Sequence, residues 1–119
     1  DWVFLALPNT AETRNLFDES LLRHMGPRAV LVIVGRGTAI DTPALCRVLK
    51  SGHLAGAALD VLEPKPDTPN DPLWTTPRLL LPPHVAAHAT EATKWYETFM
   101  EAQLDRALTS DDLDAEVRL

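Results

Sequence analysis

An α/β fold, a parallel sheet with helices packed on its faces, is the class this sequence predicts. Three observations predict it. Short apolar runs alternate along the chain with segments of helical periodicity, which is the pattern of βαβ units. The runs are continuous rather than alternating with polar residues, as in strands covered on both faces. The chain has 119 residues, 45% of them hydrophobic, enough for one small domain with a real core.

The elements follow in order. "WVFLAL", Trp2 to Leu7, reads as a first strand that Pro8-Asn9-Thr10 stops. In "DESLLRHM", Asp18 is a good N-cap, Leu21, Leu22 and Met25 fall at helical spacing, and Gly26-Pro27 ends the helix. Val30 to Val34 is a second strand, running into Gly35-Arg36-Gly37. "DTPALCRVLKSG" is a second helix: Asp41 caps it, Pro43 is tolerated in its first turn, Leu45, Val48 and Leu49 make one face, and Gly52 closes it. "LAGAALDV", Leu54 to Val61, is a third strand of small residues. "LEPKPDTPNDP" is too rich in proline for anything but an irregular loop. "LLLPPHVAA" starts as a fourth strand, and a long helix runs from Thr90 to about Leu108, with Trp95, Phe99, Ala102 and Leu104 among its apolar positions. The tail "TSDDLDAEVRL" is acidic and is expected to be loosely ordered.

Composition narrows the function classes. The formal net charge is −6 and no basic run occurs, which argues against nucleic acid and anionic membrane as partners. No apolar run approaches membrane-spanning length, and no signal peptide is visible. Cys46 is the single cysteine, so no internal disulfide forms, and a reducing, cytoplasmic setting is expected. The chain opens at Asp1, without Met, directly on a strand-like run, and so reads as a segment of a longer protein. No Cys/His cluster has metal-ligand spacing.

In open parallel sheets, ligands bind beyond the carboxyl ends of the strands. Arg36 follows the second strand, Asp60 the third with Glu63 close behind, and His84 the fourth. An arginine, carboxylates and a histidine therefore gather at one rim. Arginine holds a carboxylate through two parallel hydrogen bonds. Histidine passes a proton near neutral pH, and a glutamate beside it fixes the ring and favours the imidazolium. Gly35 and Gly37 are expected to let the backbone turn sharply and a ligand come close. Taken singly these residues say little: Arg36 is a surface arginine, Glu63 a loop carboxylate, Asp60 a cap of the following turn. His24 and His53 fall near helix C-termini, where a cation favours the dipole, and His88 reads as a surface residue near the site. Cys46 reads as core packing, Trp74 as the anchor of the proline-rich loop ahead of a substrate-pocket role, and Trp95 and Phe99 as core or domain-interface residues. A hydrolase could use such a set, but no G-x-S-x-G or other nucleophile motif accompanies it.

Four motifs, in order and at matching spacing, carry a resemblance over nearly the whole chain: "LALPNTAETRNLF", "AVLVIVGRGTAID", "LAGAALDVLEPKP" and "DPLW…LLLPPHVAAHA". They are similar to the C-terminal half of the nucleotide-binding domain in the D-isomer-specific 2-hydroxyacid dehydrogenases. The resemblance implies half of a doubly wound, Rossmann-like parallel sheet with flanking helices and a long C-terminal helix. Residues 1–88 would be the C-terminal part of an NAD(P)-binding domain, and residues 89–119 the helix and tail returning to the substrate domain. Arg36 would bind the substrate carboxylate and 2-keto oxygen, His84 would donate the proton to that oxygen, and Glu63 would pair with His84. Asp60 would contact the nicotinamide amide. Leu7, the Val34-Gly35-Arg36 backbone and the His84, Val85, Ala86, Ala87 turn would lie along the cofactor, NAD or NADP.

The resemblance further implies a small 2-hydroxy or 2-keto acid as substrate and a homodimer of the full-length protein. It also allows an NAD(H)-sensing binding protein of the corepressor type, which need not turn over substrate. Three positions depart from the family pattern: Ile33 where asparagine is usual, Pro82 where threonine is common, and Ala87 where glycine or serine is common. The G-x-G-x-x-G half of the dinucleotide fold does not occur in these residues, so the segment by itself is expected to be inactive.

Overall fold

The structure, a computed structural model, describes residues 1–109; the acidic tail beyond them lies outside the described residues. The chain divides into two compact units, residues 1–84 and the residues from Val85 onward.

The first unit carries the sheet. Strands β1 (Trp2–Leu5), β2 (Val30–Ile33), β3 (Gly56–Leu59) and β4 (Leu79–Leu80) lie in the order β1-β2-β3-β4, and every neighbouring pair is parallel. Helix α1 (Glu19–His24) joins β1 to β2, and α2 (Thr42–Lys50) joins β2 to β3. Two short 3-10 turns, Gly37–Ala39 and Pro72–Thr75, were not legible in the sequence pattern. The strands are shorter than the apolar runs that suggest them. The fourth is cut to two residues because Pro82 and Pro83 follow within three positions and lack the N–H groups a ladder needs.

The helices end where local chemistry stops them. The Asp18 carboxylate accepts the Leu21 N–H at 2.8 Å and that of Asp41 accepts the Ala44 N–H at 2.9 Å, each satisfying one amide that the first turn leaves free. At the far end of α2, the Arg78 guanidinium donates to the Leu49 carbonyl at 2.7 Å. His24 closes α1, its Nδ1 2.7 Å from the Ser20 carbonyl oxygen, and the His53 Nε2 sits 2.9 Å from the carbonyl of Met25, the C-cap of α1. Both histidines are structural. Glu19 ties the helices together, accepting from Arg23 at 2.9 Å and from Arg47 at 2.8 Å. The Arg47 bond, with Arg23 behind it, holds the Glu19 carboxyl below its ordinary range.

Burial alternates along the strands although their composition does not. Leu5, Leu31, Ile33, Ala57 and Leu59 turn to one face and join Leu22 of α1 and Leu45, Val48 and Leu49 of α2 in a single core. Cys46 is buried on the same helix. The opposite face carries Trp2, Phe4 and Leu80, which are 67%, 65% and 65% exposed, and the two aromatic rings stack at 6.3 Å. Among the described residues of this unit, helices cover one face of the sheet. Helices α1 and α2 pack on the same face, and a wholly apolar run cannot tell which of its residues face them.

The second unit is built on α3 (Thr90–Thr109). Trp95 and Phe99, one helical turn apart, stack at 5.3 Å, and Trp95 is 65% exposed, so of the two places expected for it, core or domain interface, it does not take the first among the described residues.

Candidate active site

The sheet delivers the chemistry to one end. Beyond β1 the chain passes through Leu7. Beyond β2 it passes through Val34, Gly35 and Arg36; beyond β3, Asp60 and Glu63; beyond β4, His84. Parallel pairing places all these exits at the carboxyl edge. The ladder continues one step past the strands, with the Val34 N–H donating to the Leu5 carbonyl at 3.0 Å and the Asp60 N–H to the Ile33 carbonyl at 3.0 Å. The loop after Arg36 is braced from behind. Asn15 N–H donates to the Thr38 carbonyl at 2.8 Å, Phe17 N–H to that of Ala39 at 3.0 Å, and the Thr38 hydroxyl to Asn9 Oδ1 at 3.1 Å.

Arg36, Asp60, Glu63 and His84 all line one cavity of about 650 Å³ at this edge. Asp60 is buried, while Arg36, Glu63 and His84 are exposed. One nitrogen of Arg36, Nη1, donates to the Gly35 carbonyl at 2.9 Å. Among the described residues, Nε and Nη2 make no hydrogen bond, and they are the pair of donors that a planar anion takes. The expected Glu63–His84 pair is not formed in this structure. No hydrogen bond or ion pair links any two of Arg36, Glu63 and His84, and the two loops that carry Glu63 and His84 meet only as walls of the same cavity. His84 has φ of 61°, in the left-handed region that histidine enters more readily than most side chains.

Leu7, Val34 and Gly35 stand at the strand ends but outside the wall of this cavity. Val85, Ala86 and Ala87 fall in the second unit, where the Val85 carbonyl accepts the His88 N–H at 2.9 Å. Ile33, the departure from the asparagine pattern, is fully buried in the core and packs there. Pro82 lines the cavity. Trp74 also lines it, and its indole N–H donates to the Thr68 carbonyl at 3.0 Å, so it anchors the proline-rich loop and forms a wall at once. Lys65 is the residue that sequence reasoning passed over: it lines the cavity, two positions after Glu63. It lies in the irregular proline-rich loop, six residues past the end of β3, where no periodic signal marks it.

The two glycines around Arg36 have a different role from the one their sequence suggests. A Cβ on Gly35 would stand 2.6 Å from the Leu7 nitrogen, and one on Gly37 would stand 2.5 Å from the Leu62 carbonyl carbon and 2.6 Å from the Glu63 nitrogen. Backbone, not ligand, fills those spaces. Gly37 thereby lets the loop bearing Glu63 lie against the loop bearing Arg36. Gly37→Ala is expected to push residues 62 and 63 away, to destabilise the fold by about 1–3 kcal/mol as other overpacking changes do, and to lower activity through Glu63. A denaturant midpoint and kcat/KM that both match the parent would show that the contact is dispensable.

The residues fit the nicotinamide end of a dinucleotide. The crevice lies at adjacent carboxyl strand ends, with a buried carboxylate, Asp60, in its wall, and half-exposed Val34 offers apolar surface beside it.

Comparison with known proteins gives the following. The family model described as "D-isomer specific 2-hydroxyacid dehydrogenase, NAD binding domain" matches residues 1–86. A glyoxylate reductase of Aeropyrum pernix is 45% identical over 103 residues, which cover 87% of this chain and 30% of that protein. A solved D-isomer specific 2-hydroxyacid dehydrogenase from Xanthobacter autotrophicus, in complex with NADPH and MES, superposes with a TM-score of 0.74 at 32% identity, covering 98% of this chain and 48% of the other. An NADPH-dependent glyoxylate/hydroxypyruvate reductase from Sinorhizobium meliloti, in complex with NADP and malonate, gives 0.69 at 32% identity, covering 98% and 36%. The chain thus spans roughly a third to a half of the length of these proteins.

Proposed function

The chain belongs to the D-isomer specific 2-hydroxyacid dehydrogenase family, and from that premise we propose that it forms the catalytic edge of an oxidoreductase that interconverts 2-keto and 2-hydroxy acids. The single observation that carries this reading is the shared cavity of Arg36, Asp60, Glu63 and His84 at the carboxyl edge of a parallel sheet.

In this reading the free edge of the Arg36 guanidinium receives the substrate carboxylate and polarises the 2-keto oxygen. The imidazolium of His84 gives its proton to that oxygen as negative charge develops on it, and takes it back in the reverse direction. Glu63, in the wall of the same cavity, favours the charged form of His84. Asp60, buried at the end of β3, accepts from a carboxamide, and Leu7, Val34 and Gly35 at the ends of β1 and β2 form part of the bed of the dinucleotide. Bound NAD or NADP supplies or accepts the hydride at the substrate C2 carbon.

The experiment is steady-state reduction of glyoxylate and other 2-keto acids by NADH and NADPH with the full-length protein. Oxidation of the reduced cofactor that depends on 2-keto acid is the expected result. Tight binding of NADH without turnover of any 2-keto acid would instead favour a dinucleotide-sensing protein.

A further inference from the structure

A second cavity, of about 350 Å³, lies between α2 and the proline-rich loop and shares no lining residue with the first. Its two walls differ. On the loop side stand Pro64, Pro72 and buried Leu73, an apolar surface broken by one acid, Asp71, whose carboxylate accepts the Leu73 N–H at 2.9 Å. On the helix side stand Thr42, Cys46 and Lys50, spaced four residues apart and therefore on one face of α2. Arg47 also lines the cavity, but its Nε already donates to Glu19 at 2.8 Å. Lys50, exposed in the last turn, makes no hydrogen bond or ion pair among the described residues.

Thr42 is the independent sign of a ligand. It is 7% exposed, and its hydroxyl is, among the described residues, the one buried side-chain polar atom without a hydrogen-bond partner. Polar groups withdrawn from water are nearly always satisfied, so an exception asks for a partner from outside the chain. The start of α2 does not require this hydroxyl, because the Asp41 carboxylate already caps the helix at the Ala44 N–H. Thr42 and Lys50 are eight residues apart, which is about 12 Å along a helix, and the lysine stem spans part of that distance. An occupant therefore meets a hydroxyl at one end, an ammonium at the other and an apolar wall between them.

We propose that this cavity binds a small monocarboxylate with an aromatic body and a hydrogen-bonding group at its far end. The carboxylate meets Lys50, the ring lies between Cys46 and the Pro72–Leu73 wall, and the far group bonds the Thr42 hydroxyl. The Asp71 carboxylate in the opposite wall favours a single negative charge over two. Because the two cavities have no lining residue in common, this site is distinct from the one proposed to bind the 2-keto acid.

The test is calorimetric titration of the full-length protein carrying Arg36→Ala, so that the arginine of the first cavity cannot hold the acid. The probes are 3-(4-hydroxyphenyl)propionate and 3-phenylpropionate, which differ only in the far hydroxyl. The hydroxylated acid is expected to bind with a dissociation constant of about 1 mM or tighter. The other is expected to bind about fivefold more weakly, the effect of one neutral hydrogen bond. Adding Thr42→Val is expected to abolish that difference, and adding Lys50→Met to weaken both acids about tenfold. Thr42→Val removes a hydroxyl that bonds nothing in the free protein, so its denaturant midpoint is expected to be no lower than the parent's, which separates lost binding from lost folding. Absence of binding by both acids, or affinities that survive either substitution, overturns the site. Neither result touches the dehydrogenase reading, which rests on turnover of 2-keto acids.

Discussion

Replacing His84 by alanine in the full-length protein lowers kcat for 2-keto acid reduction by about 10²–10⁴-fold, the range a positioned general acid contributes. The expectation rests on where the ring is held. His84 follows Pro82-Pro83, stands at the exit of β4, and adopts φ of 61° beside the cavity that Arg36 and Asp60 share. Without the imidazole, the oxygen that gains charge as hydride arrives must take its proton from water, and the barrier rises. KM changes less, because the carboxylate of the substrate is held elsewhere. The unusual φ supplies a control. Alanine in the left-handed region is strained and glycine is not, so His84→Gly removes the same ring without a backbone cost. Equal losses in the two variants would assign the effect to the imidazole. Steady-state kinetics over a range of 2-keto acid concentrations makes the measurement, and full activity in His84→Ala would sink the dehydrogenase reading of this site.

Arg36→Ala has a larger effect on substrate binding. Its guanidinium is anchored by the Nη1 bond to the Gly35 carbonyl at 2.9 Å, which leaves one pair of parallel donors for a carboxylate. Each hydrogen bond to a charged group contributes about 1.5–3 kcal/mol, so loss of the pair lowers kcat/KM by about 10²–10⁴-fold. The loss divides between KM and kcat, because the same group holds the carboxylate in both states and polarises the keto oxygen only as the reaction proceeds. Arg36→Lys restores charge but not two parallel donors, and is expected to recover a minor part. Calorimetric titration with oxamate, an unreactive mimic of a 2-keto acid, separates the contributions: Arg36→Ala abolishes binding, whereas His84→Ala weakens it much less. Unchanged oxamate affinity in Arg36→Ala would remove the arginine from substrate binding.

Much of this site was visible in the sequence because its logic is short-range. Asp18 and Asp41 announce helix starts, and the structure has each carboxylate capping the amide three residues on. Given alternating strands and helices, the residues after each strand must share an edge, which brings Arg36, Asp60, Glu63 and His84 into one cavity. What escaped the sequence depends on contacts between distant segments. Gly37 looks like a hinge or a ligand cradle, and only the approach of Leu62 and Glu63 backbone reveals why no side chain fits there. The exposure of Trp2 and Phe4 was hidden for a related reason. Where every residue of a strand is apolar, nothing in the pattern says which face the helices cover. Lys65 was passed over because a lysine among prolines in a loop has no periodicity to set it apart.

The strand order has a consequence for how the chain acquires its fold. Each strand of the sheet pairs with the next in sequence, with partners about 22 to 28 residues apart at every step. The entropy lost on closing a loop grows only with the logarithm of its length, by about 0.6 kcal/mol per doubling, so the three closures carry nearly equal costs. No pairing must wait for a distant segment to arrive. Every pairing is parallel, however, so each needs a crossover closed before its contacts form, which makes such a sheet slow to assemble. His84 is placed by the shortest strand, the two-residue β4, so the proposed site hangs on the least extensive pairing of the sheet.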